Sequence, residues 1–290
     1  MQKHPNVQII MKLFAFAMLS LVPSVTVCSV FSKEVDIYSG TYGNDDVEVF
    51  QPEEVMYHLA GRDGVFYEGA FTFDNYNPDK GGAGNRQGVF SGYSTHFSST
   101  EGTSLGFHCT GLNPGKNSSA SKSFIFVMGP WESGEEFVAP QVTFQNLGDL
   151  SFIADNMDMI GITDGATAGT GGGRYGKADI VSFNNVGNIE FRGLNHGGIG
   201  FSRLNSLAFT NTGDISFTDM KMGYSSNGGA IFINQGGDSS LYSNPGDGNI
   251  SFDHTGSIIF RNLVKTSYYM SSAGIFTNEG SISFNDTENI

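Results

Sequence analysis

Residues 102–106 read Gly-Thr-Ser-Leu-Gly, which matches the Gly-x-Ser-x-Gly pattern around a serine nucleophile. Such a serine works on a sharp turn between a strand and a helix, with an acid and a histidine supplied by later loops. Residues 107–112, Phe-His-Cys-Thr-Gly-Leu, favour a strand and a turn instead of a helix. We therefore interpret Ser104 as part of a glycine-punctuated strand and predict no catalytic residue.

Glycine-rich segments are the second feature that could carry chemistry. Residues 170–176 lack the Lys-Ser/Thr ending of a phosphate loop and the helix that would follow it. Gly236-Gly237-Asp238 and Asp247-Gly248 resemble calcium-binding nonapeptides, but the chain has no nine-residue period. We interpret these segments as a loop and exposed turns, and we predict neither a cofactor nor a metal site.

The other reactive side chains are dispersed along the chain. Trp131 stands in a loop-like Gly-Pro-Trp-Glu segment, which is more typical of local packing than of a binding anchor. Asp149, Asp214 and Asp247 recur at turn positions, whereas acid–base catalysis requires groups that converge in one groove. We therefore predict that the protein is not an enzyme. The histidines also lack a metal-ligand spacing: His58, His96, His108, His196 and His254.

Composition indicates which elements carry these side chains. The 290 residues include 40 glycines and 25 phenylalanines, a combination that favours short strands separated by turns. The formal net charge is −14, so the chain lacks the clustered basic residues of a nucleic-acid-binding face. We exclude nucleic acid as a partner.

The N-terminus, residues 1–32, has the order of a secretory signal peptide. A lysine precedes an apolar stretch at residues 13–22, which is shorter than the roughly 20 residues needed to span a bilayer. Small neutral residues follow, and lipid modification of Cys28 is an alternative to ordinary cleavage. If cleavage removes Cys28, Cys109 is left without an intramolecular disulfide partner.

One sequence unit recurs at residues 142–152, 181–191 and 207–217, and more loosely at 250–260 and 276–284. It contains two phenylalanines eight positions apart, nearly all preceded at i−2 by an aliphatic residue, which places both side chains on one face of a strand. Between them, Asn-x-Gly-Asp or a variant supplies residues that tolerate positive φ. Each unit therefore reads as strand, tight turn, strand.

Three such sides of about eight residues would make a coil of roughly 24 residues. Phe183 and Phe209 are 26 residues apart, and stacked coils would place Phe over Phe and Asn over Asn, with His254 at the Asn position. We predict an all-β, right-handed parallel β-helix, with an antiparallel β-sandwich as the alternative. Residues 33–100 would form an irregular N-terminal cap, and residues 101–290 the repeats.

Gly228-Gly229-Ala230-Ile231, followed by Phe232-Ile-Asn, and the recurring Phe-x-Asn units resemble the passenger region of chlamydial polymorphic outer membrane proteins. The resemblance covers about residues 70–290. It implies an autotransporter-like β-helix passenger that adheres to host cells. The chain ends within a repeat, without the C-terminal barrel of that family, so the resemblance implies a truncated member or a fragment.

The expected function is that of a surface-exposed or secreted adhesin-like passenger protein. Its expected partner is a host cell-surface protein or glycan, and outer-membrane association and self-association stay open. The expected location is the cell surface, the outer membrane or the medium, with the periplasm as the alternative. The alternative functions are a non-functional truncated autotransporter remnant and a β-helix polysaccharide-degrading enzyme.

Overall fold

A computed structural model gives the structure of the protein. It describes residues 33–47, 51–73, 88–113, 122–127, 140–164, 178–201, 204–222, 227–233, 247–265, 271–277 and 280–290. The predicted signal peptide, residues 1–32, lies outside these described residues.

Twenty strands and one 3-10 turn, at Asn44–Asp46, make up the regular structure of the described residues. The strands are β1 Lys33–Tyr42, β2 Gln51–Thr72, β3 Gly88–Ser99, β4 Leu105–Asn113, β5 Lys122–Val127, β6 Gln141–Leu147, β7 Leu150–Met157, β8 Met159–Thr163, β9 Ala178–Val186, β10 Ile189–Leu194, β11 Gly197–Phe201, β12 Leu204–Thr212, β13 Ile215–Thr218, β14 Lys221–Met222, β15 Asn227–Ile233, β16 Asn249–Thr255, β17 Ile258–Arg261, β18 Val264–Lys265, β19 Ser271–Thr277 and β20 Ile282–Asn285.

The strands pair into three stacks, which are the faces of a parallel β-helix. Face 1 contains β3, β6, β9, β12, β16 and β20, and face 2 contains β4, β7, β10, β13 and β17. Face 3 contains the start of β3 with β5, β8, β11, β15 and β19. All pairings among the described strands are parallel, which confirms the β-helix and excludes the antiparallel sandwich.

Face 1 shows why the repeat specifies stacking. Phe144, Phe183, Phe209 and Phe252 occupy equivalent positions on successive coils, and their ring centroids lie 4.7–4.9 Å apart. Face 2 carries a second aromatic column, built from the other phenylalanine of each unit. Rings stacked at this spacing fill a narrow core, and each aromatic pair adds about 0.5–1.5 kcal/mol beyond its buried area.

Face 3 departs from the period-two pattern. At its bend, two consecutive residues belong to the core, as in Ala230-Ile231, because the strand turns a corner there. Glycine precedes isoleucine at the same bend in β8 and β11, and a Cβ on Gly198 would lie 2.7 Å from the Phe217 ring. Small residues on face 3 therefore make room for the phenylalanines of face 2.

The 1–2 corner is the link between each face-1 strand and the next face-2 strand. It contains an asparagine and a glycine, which have different structural roles. Asn185 and Asn211 adopt φ values of 52° and 51°, so the asparagine supplies the left-handed conformation that the sequence predicts. Gly213 is not in that region. A Cβ on Gly213 would lie 2.6 Å from Asn188 Oδ1 of the preceding coil, so close stacking, not a positive φ, requires glycine.

The coils differ in length. Phe183 and Phe209 are paired across one coil of 26 residues, whereas Phe97 and Phe144 are separated by 47. In the longer coils, the additional residues stand in the sequence directly before or after a face-3 strand. Most of the length variation therefore lies away from the 1–2 corner, where Phe97 and Phe107 are 10 residues apart and Phe144 and Phe152 are eight apart.

Residues 33–100, the predicted cap, include three strands of the same sheet. The first part of β1 pairs with β2 and β2 pairs with β3 on face 1, in parallel register. Tyr57 stacks on Phe97 at 5.3 Å and Tyr67 on Phe107 at 5.6 Å, so tyrosine continues both aromatic columns. The division of the chain at residue 100 stays a prediction.

Candidate functional site

The three faces differ in what they offer to a partner. Phe126 and Phe232 alternate with core residues on face 3 and lie outside the core cluster, yet they are only 3% and 2% exposed. Thr163, on the same side, is fully buried. Face 3 is thus buried on both sides from β5 to β15, whereas the outer sides of faces 1 and 2 and the 1–2 corner remain open.

The outer side of face 1 is lined by short side chains, all of which are polar except Ala208. They alternate with the buried aliphatic and phenylalanine residues of β6, β9, β12, β16 and β20. The stacking of the coils arranges them in two columns, and neighbouring residues of one column are about 4.8 Å apart along the axis. We call this surface the outer strip; it consists of Thr143, Ser182, Ala208, Ser251, Ser283, Gln145, Asn184, Thr210, Asp253 and Asn285. Asp253 is its one charged residue, so the outer strip is flat, hydrophilic and nearly neutral.

Two polar ladders hold the 1–2 corner together. In the first, Asn185 donates a hydrogen bond from Nδ2 to Asn146 Oδ1 at 3.0 Å, which is one rung of the predicted asparagine ladder. His254 occupies the equivalent position with a φ of 52°, as the sequence predicts. The corner residues with positive φ are Asn146, Asn185, Asn211, His254 and Asp286.

The second ladder explains the aspartates at turn positions. Asp149 Oδ1 accepts a hydrogen bond from the backbone N–H of Asn188 at 2.8 Å, and Asn188 Oδ1 accepts one from the N–H of Asp214 at 3.0 Å. Asp214 Oδ1 in turn accepts one from the N–H of Ser257 at 2.8 Å. Each side chain thus binds the backbone of the following coil, which agrees with the structural role predicted for Asp149 and Asp214.

A groove of about 480 Å³ lies along the 1–2 corner of the last coils. It contains three carboxylates and one histidine, and Thr212, a residue that is 7% exposed, also lines it. The Oγ1 of Thr212 has no hydrogen-bond partner in the described part of the chain. The lining residues are Asn188, Thr212, Gly213, Asp214, His254, Thr255, Gly256, Asp286 and Glu288.

Sequence reasoning did not identify this groove, because its residues come from four coils. One signal was nevertheless present in the repeat. Leu147 and Val186 are aliphatic residues that stand two positions before Asp149 and Asn188. The equivalent residues of the next two coils are Thr212 and Thr255. The change from an aliphatic side chain to a hydroxyl at this core-facing position of the repeat coincides with the coils that line the groove.

Each of the five described histidines lies within 4 Å of a carboxylate from a neighbouring coil. His96 Nε2 is 2.9 Å from Glu54 Oε1, and His254 Nε2 is 3.2 Å from Asp286 Oδ2. Burial lowers the pKa of His96, although Glu54 opposes this effect. Burial also lowers the pKa of His196. The remaining pairs are His58–Glu34, His108–Asp155 and His196–Asp158.

Ser104 and Cys109 both have structural surroundings. The Oγ of Ser104 accepts a hydrogen bond from the N–H of Asp149 at 3.0 Å, and the segment after it is strand β4 instead of a helix. Cys109 is fully buried, and this burial raises the pKa of its thiol. Ser104 thus lies at the base of the second corner ladder, and Cys109 is a core residue.

Several candidate residues of the sequence lie outside the described residues: Cys28, Trp131, residues 170–176 and Gly236-Gly237-Asp238. Among the residues that are described, no group of three histidine, cysteine or acidic side chains is placed to hold a metal ion. Nor does this part of the chain contain a helix long and apolar enough to cross a membrane.

Comparisons with models of protein families, with curated proteins and with solved structures found no match to this chain.

Proposed function

We propose that the protein is an exported, adhesin-like passenger protein that makes contact with a host or cell surface and is not an enzyme. The observation that carries this proposal is the outer strip, a flat surface on which short side chains, all but Ala208 polar, repeat over five coils. Such a surface offers many equivalent hydrogen-bonding groups to an extended partner. Enzymes, in contrast, concentrate their polar groups in one pocket.

The fold and the sequence resemblance support the same proposal. A β-helix buries its core between coils, so its outer faces are free to vary for contact. Gly228-Gly229-Ala230-Ile231, which carries the resemblance to chlamydial polymorphic outer membrane proteins, belongs to β15 on face 3. Fold alone does not determine function, so display on the cell and binding each need a direct test.

Protease shaving of intact cells of the source organism tests display. We expect protease to release peptides from residues 33–290 without lysis, and mass spectrometry to identify them. A periplasmic protein of known location provides the control for leakage. Protection of those peptides until lysis would favour the periplasm or a non-functional remnant, and would overturn the proposal.

Substitutions on the outer strip test contact. Ser182→Arg together with Asn184→Arg would place bulky charges at the centre of the strip, so we expect retention of the protein on host-type cells to fall. Thr110→Arg, at an exposed position of β4, is the matched control and should keep wild-type retention. Equal retention of both variants would argue against face 1 as the contact surface, provided that both melt at the wild-type temperature.

A further inference from the structure

A buried histidine on the outer side of face 1 connects a carboxylate and a hydroxyl. His96 Nε2 lies 2.9 Å from Glu54 Oε1 of the preceding coil, and His96 Nδ1 lies 2.8 Å from Thr143 Oγ1 of the following coil. The His96 side chain is 5% exposed, so its ring is held between these two partners. Carboxylate, imidazole and hydroxyl therefore form a continuous array across three coils.

The carboxylate of the array determines which ring nitrogen carries the proton. An ionised carboxylate only accepts hydrogen bonds, so in the neutral ring Nε2 carries the proton and Nδ1 accepts a hydrogen bond from the Thr143 hydroxyl. Burial lowers the pKa of His96, although Glu54 opposes this effect, so the neutral ring is the form present at pH 7. His96 is thus placed to remove the proton of Thr143, and Glu54 orients the ring.

The same arrangement recurs one coil earlier with longer distances. His58 Nε2 lies 3.6 Å from Glu34 Oε2, and His58 Nδ1 lies 3.2 Å from Ser98 Oγ. In both arrays the hydroxyl stands directly opposite the histidine in the strand register. The His58 side chain is 43% exposed, so the shorter and drier array selects Thr143 as the more activated hydroxyl.

Thr143 is also the member of its array that can accept a new group. It is partly exposed as the first residue of the outer strip, whereas His96 is covered. Attack by its Oγ1 on an activated acyl carbon would form an ester bond and break the bond from that carbon to the leaving group. His96 Nδ1 would take the hydroxyl proton and pass it to the departing thiol or alcohol, so the step balances.

The surroundings of Thr143 favour transfer of one acyl group over repeated turnover. Its strand is paired on both sides, so the backbone N–H groups of β6 are used in the sheet and do not form an oxyanion hole. The outer-facing donors beside Thr143 in the register are the side chains of Ser182 and Gln145. We therefore expect the ester to persist, which makes the chain an acyl acceptor and not an enzyme.

We propose that Thr143, with His96 as its base and Glu54 as the positioning residue, is a site of covalent modification by an activated acyl donor such as a thioester or an activated ester. The inference goes beyond the proposed function and does not depend on it, because the reactivity of Thr143 is a property of the purified chain. A group transferred to this residue would be attached covalently to the outer strip.

The full chain is treated with p-nitrophenyl acetate at pH 7, and peptide mass spectrometry measures the rate of acetylation at each residue. The outer strip provides an internal comparison. Ser182 pairs with Thr143 and Ala208, and Ser251 pairs with Ala208 and Ser283, so neither serine stands opposite a histidine. We expect Thr143 to be acetylated at least tenfold faster than either serine. Equal rates at the three hydroxyls would overturn the proposal.

His96→Gln and Ser251→Ala form a matched pair of variants. Glutamine keeps a polar side chain between Glu54 and Thr143 but is not a base, so acetylation of Thr143 should fall at least tenfold. Ser251→Ala changes the same column of the outer strip, in which alanine already occurs at residue 208, and should keep the wild-type rate. An unchanged rate in a folded His96→Gln protein, or an equal fall in both variants, would contradict the role of His96.

The pH profile separates base catalysis from ordinary hydroxyl reactivity. On the outer side of face 1, β2 brings Glu54 and His58 towards this array, and β6 brings Thr143 and Gln145 without a charge. Because the pKa of His96 lies below 6.5, the rate at Thr143 should rise at acidic pH and level off above about pH 6.5. A rate that instead keeps rising about tenfold per pH unit from pH 7 to 9 would show unassisted attack and overturn the proposal.

Glu54→Gln tests the positioning residue. Glu54 raises the pKa of His96 against the effect of burial, so its neutralisation should move the rise of the profile to lower pH. The level rate above pH 6.5 should fall several-fold, because the ring is less basic and less firmly oriented. A merely structural contact would leave the midpoint of the profile in place, and that result in a folded Glu54→Gln protein would overturn the assignment of Glu54.

Discussion

At the scale of single residues, the β-helix depends on side chains that meet their equivalents on the next coil. Phe209 is fully buried between Phe183 and Phe252, with ring centroids 4.7 and 4.9 Å away. Phe284 ends the same column and is 42% exposed. The energetic weight of a phenylalanine therefore depends on its place in the column.

Phe209→Ala should lower the free energy of unfolding by about 3–5 kcal/mol, because it leaves a cavity between two rings. Phe284→Ala is the matched control and should lower it much less, since solvent already reaches that ring. Denaturant titration of both variants measures the difference. Similar losses in the two variants would contradict the stacked-core description.

The 1–2 corner provides a test of close stacking. Gly213→Ala would place a Cβ 2.6 Å from Asn188 Oδ1 and 3.1 Å from the Asn188 backbone, so we expect a loss of about 1–3 kcal/mol. Gly43→Ala is the control, because its nearest neighbour would be 3.9 Å away and its φ is −102°. Thermal unfolding should separate the two variants, and equal melting temperatures would show that the corners can move apart.

His96 makes stability depend on pH. Its pKa in the folded protein lies below the ordinary value of about 6.5, so the folded state prefers the neutral ring. The stability that this preference contributes is present above pH 6.5 and is lost as the pH falls. We expect the free energy of unfolding to decrease between pH 7.5 and 5.5, and to decrease less in His96→Gln. An identical pH dependence in the two proteins would contradict this role.

At the scale of elements, sequence spacing predicts faces 1 and 2 but not face 3. Phe183 and Phe191 lie eight residues apart in one unit, so period two on each strand and a turn between them follow directly. On face 3, consecutive residues such as Ala230 and Ile231 both face the core, which period two does not anticipate. A search for period-two alternation in the sequence therefore does not predict the strands of face 3.

The candidate site was less predictable than the strands. The asparagine corner follows from the Asn-x-Gly spacing, whereas the groove combines Thr212, His254 and Glu288 from different coils. Their proximity depends on which residues stack, and coil lengths of 22 to 47 residues are not evident before the pairing is known. Contacts between residues of different coils can be predicted only when the strand register of the whole stack is known.

At the scale of the whole molecule, each coil contacts mainly the coils before and after it, so stability is a sum of neighbouring interfaces. On face 1, for example, parallel strand pairs join every coil to the next from β1 to β20. A complete coil is then a removable unit, whereas part of a coil is not.

Deletion of residues 184–209 removes 26 residues and joins Phe183 to Thr210, which follows the paired Phe209. The shortened chain should fold with the same circular dichroism spectrum and a lower melting temperature. Deletion of residues 184–196, half that length, would shift every later strand out of register and should prevent cooperative unfolding. If both deletions behave alike, the coils are not equivalent units.

The hydrogen bonds between coils run along the axis of the stack, which gives the protein a mechanical property. A pull along that axis would open one row of bonds at a time, because each coil is held only to its neighbours. Release of one coil would add 22 to 47 residues of chain, about 75–160 Å when extended. A protein fixed at one end and bound at the other would therefore lengthen in steps and absorb load before either attachment breaks.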